Sequence, residues 1–255
     1  MSSNETITSR RNPLCLHIKK LGTSRSYRDE CGAFLCDGKK LLEEALKYGA
    51  EIETVITASD LPFALPAKTR LYRAEQTLID SISPLKTAQD TLFVCKIPET
   101  GEVSDFSENI TGTHILLDNV QDPGNVGTII RTANAFGIKS VILTGNCADP
   151  YNPKTIRASM GASFRQKVYR LEQDELIMLR ENGARFIGAV PGENSEDISD
   201  VSLKNSIIAI GNEGTGLSDE VLSLCETRVR IPISPDCDSL NAAAAAAIIM
   251  WLARG

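Results

Sequence analysis

The stretch Asp118-Asn-Val-Gln-Asp-Pro-Gly-Asn-Val-Gly-Thr-Ile-Ile-Arg131 decides how this chain is read. It starts where the apolar run Thr113–Asn119, an expected strand, comes to an end. Pro123-Gly124-Asn125 then makes a tight turn, and Asn125 can cap a helix over Val126–Phe136. On that helix Gly127, Thr128, Arg131 and Asn134 share one face, while Ile129, Ile130, Ala133 and Phe136 line another. A strand handing over to a helix through Gly and Asn is where α/β proteins place ligands. Arg131 can grip a phosphate or carboxylate there, or it is a surface arginine of an amphipathic helix.

Two further junctions follow in the same half of the chain. Gly211-Asn-Glu-Gly-Thr-Gly-Leu-Ser218 fails both phosphate-loop patterns. Leu217 stands where a P-loop needs lysine, and glycines at 211, 214 and 216 miss the dinucleotide spacing. What remains is a backbone-exposing loop with one carboxylate, Glu213, suited to a neutral or cationic ligand with hydroxyls. A plain glycine-rich turn is the alternative. The third junction, after the expected strand Arg228–Ile233, runs through Pro235-Asp-Cys-Asp238 to Ser239-Leu-Asn241 and an alanine-rich helix over Ser239–Ala253. Ser239 could serve only as its N-cap.

Around these junctions the second half alternates strand and helix. Strands are expected at Ser140–Thr144, Arg185–Val190 and Ser206–Gly211, and helices at Leu171–Asn182 and Ser218–Cys225. That alternation predicts an α/β fold with a mostly parallel sheet covered on both faces. The first half reads as a smaller α/β unit. It has a strand within Gly32–Gly38, a helix over Lys39–Tyr48, strands at Glu53–Ala58, Arg70–Ala74 and Thr91–Ile97, and a helix over Gln76–Ser83. The polar, turn-rich residues 99–110 read as a linker between domains 1–98 and 111–255.

Composition narrows the function classes. With 255 residues and 42% hydrophobic content, the chain can bury a large core. Seven cysteines without a Cys-x-x-Cys favour neither a disulfide framework nor a zinc ribbon, and two histidines, His17 and His114, are too few for a His-rich metal site. No metal is expected. No Ser-His-Asp or Cys-His set falls in the loops, which argues against nucleophilic hydrolysis. The start lacks a signal-peptide pattern and the alanine run is too weakly apolar for a membrane span, so a cytoplasmic setting without membrane contact is expected. The net charge of −6 hides two basic patches. Arg10, Arg11, Lys19, Lys20, Arg25 and Arg28 face Glu5 alone within residues 1–28. Residues 150–170 carry Lys154, Arg157, Arg165, Lys167 and Arg170 with no acid. Local patches of this kind, when not merely solvated faces, are the footprint of a nucleic-acid partner.

Taken together, these residues resemble the SpoU (TrmH-type) RNA 2′-O-ribose methyltransferases. The likeness rests on Asn119…Asn125-x-Gly127…Arg131-Thr-Ala, on Gly211-Asn-Glu-Gly-Thr-Gly-Leu217, and on Ser239-Leu-Asn241 before the alanine-rich helix. Asn152-Pro-Lys-Thr-Ile-Arg-Ala-Ser159 is similar to another recurrent segment. The first half, from Arg11-Asn-Pro13 through Gly38-Lys-Lys40, resembles the L30e-like RNA-binding domain that precedes the catalytic domain in many members. The resemblance implies a deep C-terminal trefoil knot, which general topology would argue against. It further implies S-adenosyl-L-methionine held largely by backbone groups at Gly211, Ile231 and Leu240, with the loop after Val141–Thr144 nearby. By the same resemblance Arg131 is the catalytic arginine, and Asn125, Glu213, Ser239 and Asn241 complete the site. Structured RNA, ribosomal more than transfer RNA, is the implied substrate, and a homodimer through the knotted domain the implied assembly. A non-catalytic RNA-binding protein that keeps this fold is the alternative. A nucleotide-binding oxidoreductase or NTPase is disfavoured by the failed glycine patterns.

Overall fold

A computed structural model of the chain describes residues 5–98, 111–237 and 239–254. The expected linker 99–110 and Asp238 fall outside the described residues. Two compact units result. The first comprises the described residues up to Pro98 together with Asp149–Arg165, and the second comprises the rest.

The second unit is built on strands β6 (His114–Asp118), β7 (Ser140–Thr144), β8 (Lys167–Arg170), β9 (Phe186–Ala189), β10 (Glu196–Asp197), β11 (Ile207–Ile210) and β12 (Thr227–Arg230). They form one sheet in the order β10-β12-β9-β11-β6-β7-β8, and every pairing is parallel. A parallel sheet buried on both faces needs unbroken apolar strands, and β6, β7 and β11 are buried at every residue. Helices α7 (Gln173–Glu181) and α8 (Asp219–Leu224) cover one face, where Leu176, Leu179, Val221 and Leu224 join Leu116, Ile142 and Ala209 in one cluster. Helix α5 (Pro123–Ala135) packs against β7, and α9 (Ala242–Ala253) packs against α5 and β11. Alanines make that last approach possible, since Ala242, Ala243, Ala246 and Ala253 are buried along α9.

Strand order reverses at β6. β7 and β8 lie on one side, and β11 and β9 on the other. The loops leaving β6 and β11 therefore emerge side by side at the carboxyl edge, where open parallel sheets bind ligands.

The first unit carries β1 (Glu5–Thr6), β2 (Ala33–Asp37), β3 (Ile52–Thr57), β4 (Arg70–Arg73) and β5 (Thr91–Lys96) in a mixed sheet of order β1-β4-β3-β5-β2. Its helices are α1 (Pro13–Thr23), α2 (Arg25–Cys31), α3 (Lys39–Lys47), α4 (Gln76–Ile82) and α6 (Pro153–Ser159). Side chains alternate between two cores, as strand geometry requires. Leu35, Ile56, Leu92 and Val94 meet α1 and α4 through Ile18, Leu21, Ile79 and Ile82. Phe34, Cys36, Val55, Phe93 and Cys95 face the other way, where Leu42 and Ala45 of α3 are joined by Ile156, Tyr151 and Phe164. Residues 149–165, though they lie between β7 and β8 in sequence, thus complete the second core of this unit. Arg28 clamps the segment through an ion pair with Asp149.

That packing reassigns several of the basic residues. Arg28 is buried in its pair with Asp149, Arg165 is paired with Glu44 and lies over the Tyr48 ring, and Arg157 donates to the Thr87 carbonyl. Arg170 binds the Gly145 and Cys147 carbonyls in the second unit. Arg10, Arg11, Lys20 and Lys154 stay exposed.

Candidate active site

Asp122, not Asn125, caps α5. Its carboxylate accepts the Asn125 N–H at 2.8 Å, and Pro123 takes the first helical position, where no N–H is needed. Asn125 is thereby moved into the first turn with its side chain free to act elsewhere. Its Nδ2 donates to Glu213 Oε1, and its Oδ1 accepts from Asn241 Nδ2 at 3.1 Å. One asparagine so joins the three junctions, each delivered by a different loop.

Each partner is held by its own local structure. Asn241, not Ser239, caps α9, accepting from the Ala243 and Ala244 N–H groups at 3.0 and 3.2 Å. Glu213 sits on a turn closed by reciprocal backbone bonds between Asn212 and Gly216. The turn passes so close to the strand end that a Cβ on Gly211 would lie 2.2 Å from the Gly216 carbonyl carbon, so only glycine fits there. Ser239 is exposed, and its carbonyl accepts from Cys237 Sγ at 3.3 Å. Arg131 is exposed on α5 and, among the described residues, makes no hydrogen bond or ion pair. Gly127, expected on the polar face, is buried instead.

The loop after β7 lies at the same edge. Burial pushes the Cys147 thiol up, so it stays protonated, donating to the Leu117 carbonyl at 3.2 Å. Asp118, Asn119 and Asn212 belong to this edge as well, although their residue types alone gave them no separate role. The signal for Asp118 was a carboxylate ending an otherwise apolar strand.

Ile231, Ile233 and Leu240 are half-buried, and their backbone groups bond to no other described residue. Half-buried apolar side chains, and main-chain donors and acceptors without a partner among the described residues, suit a flat aromatic base with its ribose hydroxyls. The residues fit S-adenosylmethionine.

Comparison with known proteins agrees with this geometry. The model of the SpoU rRNA methylase family matches residues 112–251, more than half of the chain. The chain belongs to the SpoU rRNA methylase family. The SpoU unit is preceded by a match to the MRM3-like substrate binding domain over residues 12–92. Among relatives of this SpoU chain, the 23S rRNA (guanosine(2553)-2′-O)-methyltransferase RlmP of Bacillus subtilis is 31% identical over 98% of this chain and 99% of its own length. The AdoMet-bound rRNA methyltransferase from Sinorhizobium meliloti is a structural neighbour with TM-score 0.86 and 29% identity, covering 98% of this chain and 97% of that one. The SpoU methyltransferase AviRb from Streptomyces viridochromogenes in complex with AdoMet gives TM-score 0.83 at 26% identity, covering 95% and 97% of the two chains. S-adenosylmethionine is accordingly the cofactor of this SpoU protein.

Proposed function

We propose that this chain transfers a methyl group from S-adenosylmethionine to a ribose 2′-OH of ribosomal RNA. The observation that carries the proposal is the Asn125–Glu213–Asn241 junction at the carboxyl edge of the sheet. A relative of nearly the same length that is named a 23S rRNA 2′-O-methyltransferase supports it.

S-adenosylmethionine, when bound, supplies a methyl group on a sulfonium that is already a good leaving centre. The residues of the chain then have two tasks, orientation and charge control. Backbone groups at Gly211, Ile231 and Leu240 would hold the cofactor. Arg131 offers only N–H donors and no acceptor atom, and so it is not the base. It clamps the phosphate beside the target ribose and stabilises the negative charge that develops on the 2′ oxygen as its proton passes to solvent water. Glu213, Asn125, Ser239 and Asn241 orient the hydroxyl, with Asn125 tying the two loops into one wall.

We assign RNA recognition to an L30e-like unit spanning residues 1–98 and completed by 149–165, with 99–110 as linker and 111–255, apart from 149–165, as the catalytic stretch. Arg10, Arg11 and Lys20, exposed on this unit, form its RNA-facing charge. The C-terminal segment carrying α9 is proposed to thread the loops after β7 and β11 as a deep trefoil knot. Two copies would pair through that segment, and the protein would work in the cytoplasm.

Mapping 2′-O-methyl groups in ribosomal RNA from cells with and without the gene tests the proposal. Loss of one 23S rRNA methylation on deletion, restored by the purified protein and S-adenosylmethionine acting on RNA from the deletion strain, is the expected result. An unchanged map with no transfer in vitro overturns it.

A further inference from the structure

Three polar groups of Asn119 go to three different places. Its Nδ2 donates to Asp118 Oδ1 at 2.7 Å, its Oδ1 accepts from the Asn146 N–H at 2.9 Å, and its carbonyl accepts from Asn212 Nδ2 at 3.0 Å. Asp118, buried at the end of β6, uses its second oxygen to accept the Ser218 N–H at 2.6 Å. Asn212 turns its own Oδ1 onto the Gly214 and Thr215 N–H groups at 2.8 and 3.2 Å, within the turn that carries Glu213.

We infer that Asn119 is the positioning residue of this site, holding the loop after β7 and the Glu213 turn in register with α5. The inference rests on the methyltransferase reading given above and adds to it a residue to which that reading assigns no contact with cofactor or ribose. Backbone geometry explains why asparagine stands there. Asn119 is left-handed, with φ +56°, a region that asparagine tolerates better than most L-residues. Its Oδ1 fills the space beside Gly145, itself left-handed at φ +59°, where a Cβ would sit 2.6 Å from that oxygen. Glycine at 119 would keep the backbone and the carbonyl acceptor but lose both side-chain bonds. Aspartate would keep the acceptor for Asn146 but lose the donor and set a second carboxylate against Asp118.

The consequence reaches the reacting groups through Asn212. Glu213 meets Asn125 only while the two loops keep their spacing, and the Asn212 side chain ties the start of the Glu213 turn to the Asn119 carbonyl. An error of 1 Å in such a site is worth on the order of 10²-fold in rate.

The test compares the full-length protein with Asn119→Gly and Asn119→Asp. Amide hydrogen exchange on the cofactor-free protein reads the positioning directly. In Asn119→Gly the Asn146 amide should exchange roughly five- to tenfold faster, the equivalent of one lost hydrogen bond, and Gly214 and Thr215 should follow to a smaller extent as the unanchored Asn119 carbonyl loosens its hold on Asn212. In Asn119→Asp the Asn146 amide should keep its protection. Transfer to RNA from the deletion strain should show kcat lowered on the order of 10²-fold in Asn119→Gly, with KM for RNA within about twofold of wild type. Should Asn119→Gly fold poorly, the aspartate variant carries the kinetic comparison, with lowered kcat again expected. Wild-type kcat in both variants, or exchange that rises evenly across the unit, overturns the positioning role. A wild-type protein that transfers no methyl group to RNA defeats the functional reading instead, and the exchange pattern then decides the positioning role alone.

Discussion

Arg28 meets Asp149 across 121 residues of sequence, its Nε at 2.8 Å and its Nη2 at 2.5 Å from the same carboxylate oxygen. Its third nitrogen donates to the Leu21 carbonyl at 2.6 Å, and the two side chains are only 3% and 9% exposed. Removing one member of such a pair strands a buried charge. Arg28→Met or Asp149→Ala should therefore each destabilise the protein by about 3–5 kcal/mol. The double change Arg28→Met with Asp149→Leu should recover most of that loss, because two apolar groups leave no charge unpaired. Urea unfolding at neutral pH followed by circular dichroism measures all three variants. Single variants within 1 kcal/mol of wild type, an arbitrary threshold of roughly one ordinary hydrogen bond, would remove the clamp from this account.

The same pair shows where sequence reading stops. Strand Ser140–Thr144 and the helix over Gln76–Ile82 were legible because apolar periodicity is a local signal. Residues 149–165 were not assigned to the first unit, because no period records which distant sheet a helix covers. Arg28 likewise counted toward a basic patch, since charge in a sequence carries no sign of burial. At the site, the three junctions were visible as Gly and Asn at strand ends. Which residue caps and which one bonds to Glu213 was not, because Asp122 and Asn125 compete for the same helix terminus and Pro123 decides between them. Asn241 replaces Ser239 as the last cap for a similar reason. Both can accept from a free N–H, and only the observed helix start at Ala242 selects one.

Arg131 stands exposed on α5, two turns beyond the Asn125 junction, so its removal should leave the fold and the cofactor loops intact. Arg131→Ala should lower methyl transfer by about 10²–10³-fold, the usual scale for losing a group that stabilises charge in the transition state. Affinity for S-adenosylmethionine, read by calorimetry, should stay within about twofold, because the lost interaction belongs to the RNA and the developing alkoxide. Arg131→Lys should recover only a part, since an ammonium keeps the charge and loses the two-pronged fork. Undiminished turnover in Arg131→Ala would take the arginine out of the mechanism.

Helix α9 keeps Ile248, Trp251 and Leu252 exposed although its mean hydropathy is high, and Trp251 packs edge-on to Phe136 of the α5 end at 5.7 Å. A tryptophan in an apolar patch is the residue type that carries association energy. Trp251→Glu should therefore convert the proposed dimer to a monomer, at a cost of about 2–4 kcal/mol of association free energy. Sedimentation of wild type and variant at matched concentrations reads the outcome directly. A wild-type protein that sediments as a monomer, or a variant that stays dimeric, places the dimer contact elsewhere or nowhere.

His114 gives the second unit a pH dependence whose sign follows from burial. The ring is 4% exposed at the start of β6, with Nδ1 at 2.8 Å from the Ser140 hydroxyl, and burial lowers its pKa from 6.5 to about 4. Between those values the unfolded chain binds the proton and the folded chain does not, so stability rises with pH across that window. The contribution is complete above about pH 6.5 and is lost as pH falls toward 4, a span worth about 3 kcal/mol. His114→Gln removes the titrating ring, and its unfolding free energy should lose that much less between pH 7 and pH 4. With only His17 and His114 in the chain, the imidazole resonances are readily separated by proton NMR. The His114 signal should titrate near pH 4, and a midpoint above 6 would mean that the ring is charged in the fold and that the stability change lies elsewhere.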